Sequence, residues 1–271
     1  MIVWLASYPR SGNTFFRILL HHLYGLPTYS GFKSGDDLSF VGAGDLTGHE
    51  KLPPELSRAL YAGDRAALAP YRDSEQVYAI KSHMTAQETR VSELPAILLV
   101  RDPRDTLVSY VWYILQTQTM YARNKSLLTL LRSPGRNARM LRLRVIARLR
   151  DLGLQDWLYR NQLRALVRHP RWSRLNASWM DRPQGGPVHV LRYEDLVARP
   201  REAVQEALAA VGLSPAPVGD EFPDFEELKR VFPSFFRQGK IGAGREAFSD
   251  ELHQDLLKVH GAMMERLGYA P

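Results

Sequence analysis

Residues 2–6 read Ile-Val-Trp-Leu-Ala and run straight into Ser7-Tyr8-Pro9-Arg10-Ser11-Gly12-Asn13-Thr14-Phe15. No other stretch constrains the fold as strongly. A brief run of aliphatic, β-branched and aromatic residues is the pattern of a buried strand. Helical spacing takes over across residues 14–24, and Gly25 and Pro27 close it. A strand that enters a helix through a tight, glycine-containing loop presents backbone N–H groups and a positive helix end to one spot. Such a loop favours an anion, and Arg10 adds a cation within it. Set against the Gly-Lys-Thr ending of a nucleotide phosphate loop, Asn13 stands where the lysine belongs and Ser7 where the first glycine belongs. The loop is therefore a poor ATP or GTP loop, although it keeps the same phosphate-cradling design.

Three more short apolar runs, at residues 77–80, 96–100 and 188–191, predict buried strands. Helical patterns follow at 106–121 and at 201–211. The latter carries Val204, Leu208 and Val211 on one face and has Gly212 as its stop. Residues 249–267 predict an amphipathic helix capped by Ser249, with Asp250 and Glu251 in its first turn. Strands separated by helices predict a parallel sheet in an α/β fold, with ligands beyond the carboxyl ends of the strands. Residues 30–69 show weak periodicity and many Gly, Pro and Asp, which reads as a surface excursion or a lid. Residues 123–150 hold many arginines and no acidic residue. They are either a solvated helical face or a docking surface for an anionic partner.

Composition bounds the function. Of 271 residues 45% are apolar and 24% charged, enough for a sizeable core and against disorder. The absence of cysteine excludes disulfides, thiolate-bound zinc and a cysteine nucleophile. Lys plus Arg number 36 and Asp plus Glu 29, a net charge of +7 that favours an anionic partner. No stretch reaches the roughly 18 apolar residues of a membrane span, and the N-terminal apolar run is too short for a signal peptide. A cytoplasmic location is expected.

Two further motifs fall at strand ends. Lys81-Ser82-His83-Met84 closes the second strand and turns a histidine toward the ligand edge, where it can take a proton. Arg101-Asp102-Pro103-Arg104-Asp105-Thr106-Leu107-Val108-Ser109-Tyr110 closes the third. Here Pro103 forces a turn, Asp105 or Thr106 can cap the next helix, and Arg101 with Ser109 forms a second anion site. Arg101 pairing with Asp102 or Asp105 is the plain structural alternative.

Ser7-Tyr8-Pro9-Arg10-Ser11-Gly12-Asn13-Thr14-Phe15 resembles the phosphosulfate loop of sulfotransferases that use 3′-phosphoadenosine 5′-phosphosulfate (PAPS), commonly Tyr-Pro-Lys-Ser-Gly-Thr-Thr-Trp. Four other blocks, in the same order, strengthen the likeness. The resemblance implies a three-layer α/β/α fold with a central parallel sheet and a P-loop-like phosphosulfate loop, as one domain over 1–271. Segments 30–69 and 123–179 are the excursions or lids. The implied function is sulfuryl transfer from PAPS to a hydroxyl or amine acceptor, with 3′-phosphoadenosine 5′-phosphate (PAP) as product and no metal.

His83 matches the family's general base and Lys81 the residue near the transferring group, Ser82 standing for the usual Thr. Arg10, Ser11, Gly12, Asn13, Thr14 and Phe15 match the phosphosulfate loop, Phe15 standing for an adenine-stacking Trp. Arg101 and Ser109 match the eight-residue spacing of the 3′-phosphate pair. Tyr193, in Tyr193-Glu194-Asp195-Leu196, matches a tyrosine that approaches the adenine. Arg237, Gln238 and Gly239 open a glycine-rich loop that closes over the 3′-phosphate. In it Gly242 and Arg245 also match, Gln238 replaces a Lys, and Gly244 stands where the family often has Trp.

The acceptor class stays open among small molecules, glycans and lipids. Phe40, Trp112 and Tyr113 are candidate pocket residues. A homodimer and peripheral membrane contact stay open too, and no nucleic acid is implied. Two alternatives stand beside this reading: a P-loop-type kinase using ATP and Mg²⁺, which Asn13 disfavours, and a basic nucleic-acid-binding module.

Overall fold

A computed structural model describes residues 1–31, 45–124, 126–131, 135, 137–182, 185–231, 236 and 239–270. In chain order the elements are β1 (Ile2–Ser7), α1 (Asn13–Tyr24), β2 (Thr28–Ser30), α2 (Pro54–Ala62), α3 (Arg65–Arg72), β3 (Tyr78–Ser82), β4 (Ala96–Val100), α4 (Pro103–Tyr113), a π-helical turn (Ile114–Gln118), α5 (Thr119–Arg123), α6 (Leu127–Leu131) and α7 (Ala138–Asp151). There follow α8 (Gln155–Val167), α9 (Arg171–Met180), β5 (Val188–Arg192), α10 (Tyr193–Ala198), α11 (Pro200–Ala210), α12 (Phe225–Val231) and α13 (Asp250–Arg266). The chain divides into two units, Met1–Arg101 with Arg171–Pro223 and Asp102–Pro170 with Asp224–Pro271.

The first unit holds the sheet. Among the described residues it has five parallel strands in the order β2-β3-β1-β4-β5. The four strands expected from the sequence are all present. β2 is an addition: three residues at the sheet edge show no alternation, so only pairing with β3 reveals the strand. β1 is central because both its faces are apolar. Val3 and Leu5 pack with Phe16, Leu19 and Leu20 of α1 and with Val204 and Leu208 of α11. On the opposite face Trp4 meets Trp179 of α9 at 6.3 Å, and the Trp179 indole N–H donates to the Met84 carbonyl at 3.0 Å. Helix, sheet and helix thus form the three expected layers. Each such fully buried side chain contributes about 1.5–3 kcal/mol.

After β1 the chain reaches the outer strand β2, returns to β3 beside β1, and then crosses to β4 on β1's other side. Strand order therefore reverses around β1, where parallel sheets hold ligands beyond their carboxyl ends. The loop after β1, His83 after β3, Arg101 after β4 and Tyr193 after β5 all leave the sheet at that edge.

The excursion expected over 30–69 is partly helical. Pro54 opens α2 from a position where its missing N–H costs nothing, and Gly63 at φ 71° closes it. The rest of that segment up to residue 44, including Phe40, lies outside the described residues from residue 32 on.

In the second unit the helix expected over 106–121 begins earlier, at Pro103, and passes through the π-helical turn. Such a turn shifts the backbone ladder. The Leu115 carbonyl within it accepts from Thr119 Oγ1 and from Arg150 Nη1, both at 2.6 Å. Arg144 Nη1 donates to the last carbonyls of α5, Ala122 at 3.4 Å and Arg123 at 3.3 Å. Arg123 in turn donates to the Ala147 carbonyl at 3.0 Å and pairs with Asp151. Part of the arginine-rich stretch is thus internal bracing of helix ends. Ser249 caps α13 as expected, accepting from the Leu252 N–H at 3.3 Å.

Candidate active site

The loop between β1 and α1 is shaped by two residues in the left-handed region. Arg10 has φ 73°, uncommon for a side chain-bearing residue, and Gly12 has φ 96°. Gly12 is required twice over, since a Cβ there would lie 2.5 Å from Tyr193 Cδ2. Left-handed residues on either side of Ser11 bend the chain so that its amides can gather, and α1 starts immediately after at Asn13. Strain of this kind persists where the surroundings enforce it, commonly at ligand sites.

Asn13 has a bracing role that its position in the motif does not reveal. Its side-chain NH₂ donates to the Leu5 carbonyl at 2.9 Å and to Ser7 Oγ at 3.2 Å. An amide that ties the loop back to β1 thus stands where a P-loop keeps its lysine. Ser11 Oγ is buried with no hydrogen-bond partner among the described residues, as is Asn13 Oδ1. A buried hydroxyl in a loop of converging amides fits an anionic oxygen, which it can meet as a donor. Asn13 Oδ1 is an acceptor and needs a different partner.

His83 sits one residue beyond β3. Its Nδ1 is 2.8 Å from the Ser7 carbonyl and 3.2 Å from Ser7 Oγ. A carbonyl only accepts, so Nδ1 carries the proton and Nε2 carries the lone pair. Burial, then the Lys81 charge, with Arg17 and Arg171 adding to it, pushes the imidazole down to about 3 against the opposing Ser7 hydrogen bond. His83 is therefore neutral near pH 7. Lys81 lies two residues earlier on β3, in register with Leu5 of β1.

Sequence reasoning missed three contributors to this site. Ser7 sets the His83 tautomer, and Arg17 and Arg171 add positive charge around the imidazole. Arg17 is buried on α1, with Nε donating to Thr28 Oγ1 at 2.8 Å and Nη2 placed 3.2 Å from His49 Nδ1. An arginine within the apolar stretch Phe15–Leu20 was the available signal.

Arg101 leaves β4 and lies over the Tyr193 ring, 4.3 Å from its centroid. The same ring is the one against Gly12. The phosphosulfate-like loop, Tyr193 and Arg101 therefore form one continuous stack at the carboxyl edge of the sheet. Tyr193 is buried and links the loop after β1 to Arg101. Phe15 is half-buried, edge-on to Phe222 at 6.5 Å.

In the second unit the helix cap differs from expectation. Asp102, rather than Asp105 or Thr106, caps α4, accepting the Arg104 N–H at 2.9 Å. Pro103 occupies the first helical position, so the residue just before it becomes the cap. Asp102 also holds the Arg104 guanidinium, with Nη2 at 2.7 Å. Asp105 instead accepts two backbone N–H groups of the glycine-rich loop, Gly242 at 2.8 Å and Gly244 at 2.6 Å. A Cβ on Gly244 would lie 2.5 Å from the Arg104 carbonyl oxygen, so the family's Trp has no room there. Gly239, at φ 61°, packs on Phe225 in the same loop. Arg237 and Gln238 lie outside the described residues. Ser109 sits on α4, Trp112 packs with Tyr159 at 5.2 Å and Tyr113 is buried.

Among the described residues no helix is long and apolar enough to cross a membrane, and no group of three His, Asp or Glu is placed to hold a metal ion. The sulfotransferase domain pattern matches residues 2–268. Among curated proteins none matches this chain. Among solved structures, a mouse sulfotransferase, SULT7A1, complexed with PAP is 13% identical, with a TM-score of 0.50 over 97% of this chain and 84% of that one. Retinol dehydratase in complex with androsterone and PAP is 16% identical over 97% of this chain and 80% of that one, at a TM-score of 0.43. A match over residues 2–268, nearly the whole length, shows that the chain belongs to the sulfotransferase family.

Proposed function

We propose that the chain transfers a sulfuryl group from PAPS to a hydroxyl or amine acceptor, with His83 as general base and with Lys81 and Arg10 meeting the charge that develops. The observation that carries this reading is the stack of Gly12, Tyr193 and Arg101, which joins the two anion motifs at one sheet edge. PAPS, when bound, supplies the sulfuryl group. The loop from Arg10 to Phe15 holds its 5′ end, Ser11 Oγ and the α1 amides donating to it. The family resemblance assigns Arg101 and Ser109 to the 3′-phosphate and Arg237, Gln238 and Gly239 to the loop that covers it.

His83 Nε2 takes the proton of the acceptor O–H or N–H as that atom bonds to sulfur. The bond from sulfur to the bridging 5′-phosphate oxygen breaks, and its electron pair stays on PAP. Lys81 and Arg10 stabilise that oxygen's charge. As in phosphoryl transfer, the protein contributes mainly position and electrostatics. The acceptor is a small molecule, a glycan or a lipid, with Trp112 and Tyr113 candidates for its pocket. A cytoplasmic location belongs to this reading, and a homodimer is compatible with it.

Transfer of labelled sulfate from PAPS onto a panel of phenols, sugars and lipids tests it, together with calorimetry of PAP against ATP with Mg²⁺. Binding of ATP–Mg²⁺ without PAP would restore the kinase alternative. Arg101→Ala is expected to weaken PAP binding by about 10–150-fold, the worth of a hydrogen bond to a charged group. Binding of adenosine 5′-phosphate, which lacks the 3′-phosphate, should change little. Equal losses for both ligands would remove Arg101 from the 3′ site.

Asp105→Asn replaces one acceptor oxygen by a donor that faces a backbone N–H. The glycine-rich loop should loosen. Amide exchange at Gly242 and Gly244 should quicken, and KM for PAPS should rise with kcat less affected. Unchanged exchange at both amides would show that the carboxylate does not hold the loop.

A further inference from the structure

Among the described residues of 123–150, the arginines fall into two groups. Arg123, Arg144 and Arg150 donate to backbone carbonyls of neighbouring helical turns, whereas Arg139, Arg142 and Arg148 stand exposed on α7. Helical spacing aligns Arg142, Val145, Leu149 and Leu152 in one stripe, with Arg139 and Arg148 on its two flanks. The opposite face, with Leu143, Ile146 and Ala147, is buried. In the outward stripe Val145 is 58% exposed and Leu152 65%. The apolar strip continues around the turn into α8, where Gly153 at φ 82° reverses the chain and Leu154 and Trp157, the latter 54% exposed, follow. Of the eleven large hydrophobic side chains exposed among the described residues, four, Val145, Leu152, Leu154 and Trp157, fall on this stripe and corner. Scattered single exposures are ordinary, but a concentrated patch marks an interaction surface.

We propose that this face, the outer stripe of α7 with the α7–α8 corner, docks on a bilayer surface containing anionic lipid. Charge complementarity selects the occupant. The stretch from 123 to 150 contains no acidic residue, and its outward arginines flank an apolar strip that ends in a tryptophan. That is the pattern of a helix lying in the membrane interface, with apolar side chains below the headgroups and arginine stems reaching up to them. A second copy of the chain fits poorly, because two-fold pairing of the stripe sets arginine against arginine. A nucleic acid would satisfy the arginines but would lay Leu152, Leu154 and Trp157 against phosphates. The inference does not depend on the sulfuryl-transfer reading.

The test is co-sedimentation of the full chain with phosphatidylcholine vesicles, with and without phosphatidylserine. Two variants accompany it: Arg142→Glu with Arg148→Glu, and Leu152→Ser with Trp157→Ser. All four positions are exposed, and thermal melts confirm that both variants fold. The wild type is expected to sediment with the phosphatidylserine vesicles and to be released by added salt. Removing two arginines should weaken binding by at least about 25-fold, at about five-fold per cation. The apolar variant should also lose binding, although its charge is unchanged. No sedimentation with the anionic vesicles overturns the proposal, as does binding that survives either variant. Retention on a DNA or RNA oligomer that is unaffected by Leu152→Ser with Trp157→Ser overturns it in favour of a nucleic acid. A concentration-dependent dimer abolished by the apolar variant overturns it in favour of a second copy.

Discussion

His83→Ala is expected to lower kcat by about 10²–10⁴-fold, the usual contribution of a general base, while PAP binding stays near wild type. The expectation follows from the tautomer. The Ser7 carbonyl accepts a hydrogen bond from Nδ1–H, so Nε2 is the basic nitrogen before any substrate arrives and no proton has to move first. Steady-state turnover with labelled PAPS gives kcat, and calorimetry gives PAP affinity. Wild-type turnover in the variant would exclude His83 as the base. A parallel collapse of PAP binding would instead make it a structural residue of the loop. Partial rescue by added imidazole would separate lost basicity from lost packing.

The pH dependence of the same residue has a definite sign. Burial and the Lys81 charge bring His83 from 6.5 down to about 3 in the free protein. The kcat/KM profile should therefore show no acid limb from His83 near 6.5. A bound anionic donor offsets part of the surrounding positive charge and favours the protonated ring, so the acid limb of kcat should lie at higher pH than that of kcat/KM. Stability moves too. Below pH 6.5 the unfolded chain's histidine takes up a proton that the folded chain refuses until about pH 3. The contribution is intact above 6.5 and is lost as pH falls through that window, by about 1.4 kcal/mol per pH unit. Thermal melts of His83→Ala should accordingly be less sensitive to acid than those of the wild type.

The sheet was legible because a parallel strand buried on both faces is a continuous apolar run, as in Ile2–Ser7 and Ala96–Val100. β2 was not, because three edge residues bury too little to leave a pattern and are set by pairing with β3. The site's residue types were legible at the strand ends, where Arg10, His83, Arg101 and Tyr193 all fall. Their joining was not. That Tyr193 lies between Gly12 and Arg101 depends on β5 pairing with β4 across roughly ninety residues of chain. The roles of Asn13 and Asp105 were also hidden, because each is defined by its backbone partners: Leu5 for the one, Gly242 and Gly244 for the other. Motif spacing reports residue types and cannot report which distant amide a carboxylate will meet.

Gly12→Ala is expected to have the second large effect, on cofactor binding and on stability together. Two independent costs act at this position. At φ 96° the backbone is in a region that a side chain-bearing residue adopts only under strain, worth about 1–3 kcal/mol. The new Cβ would also lie 2.5 Å from Tyr193 Cδ2, and such overpacking costs about 1–3 kcal/mol more. Loop and ring must move apart, and the movement reaches Arg101 because its guanidinium rests on the same ring. One methyl group thus disturbs both anion motifs. PAP affinity should fall by more than about ten-fold, and denaturant titration should show a lower midpoint. The steric and conformational parts can be separated. Tyr193→Ala removes the obstacle, so Gly12→Ala with Tyr193→Ala should be more stable than the sum of the single changes predicts, by up to the overpacking cost. Strict additivity would mean that Tyr193 does not press on the loop. Wild-type PAP affinity in Gly12→Ala would mean that the loop's left-handed turn is not what holds the anion, and the reading of this site would fall with it.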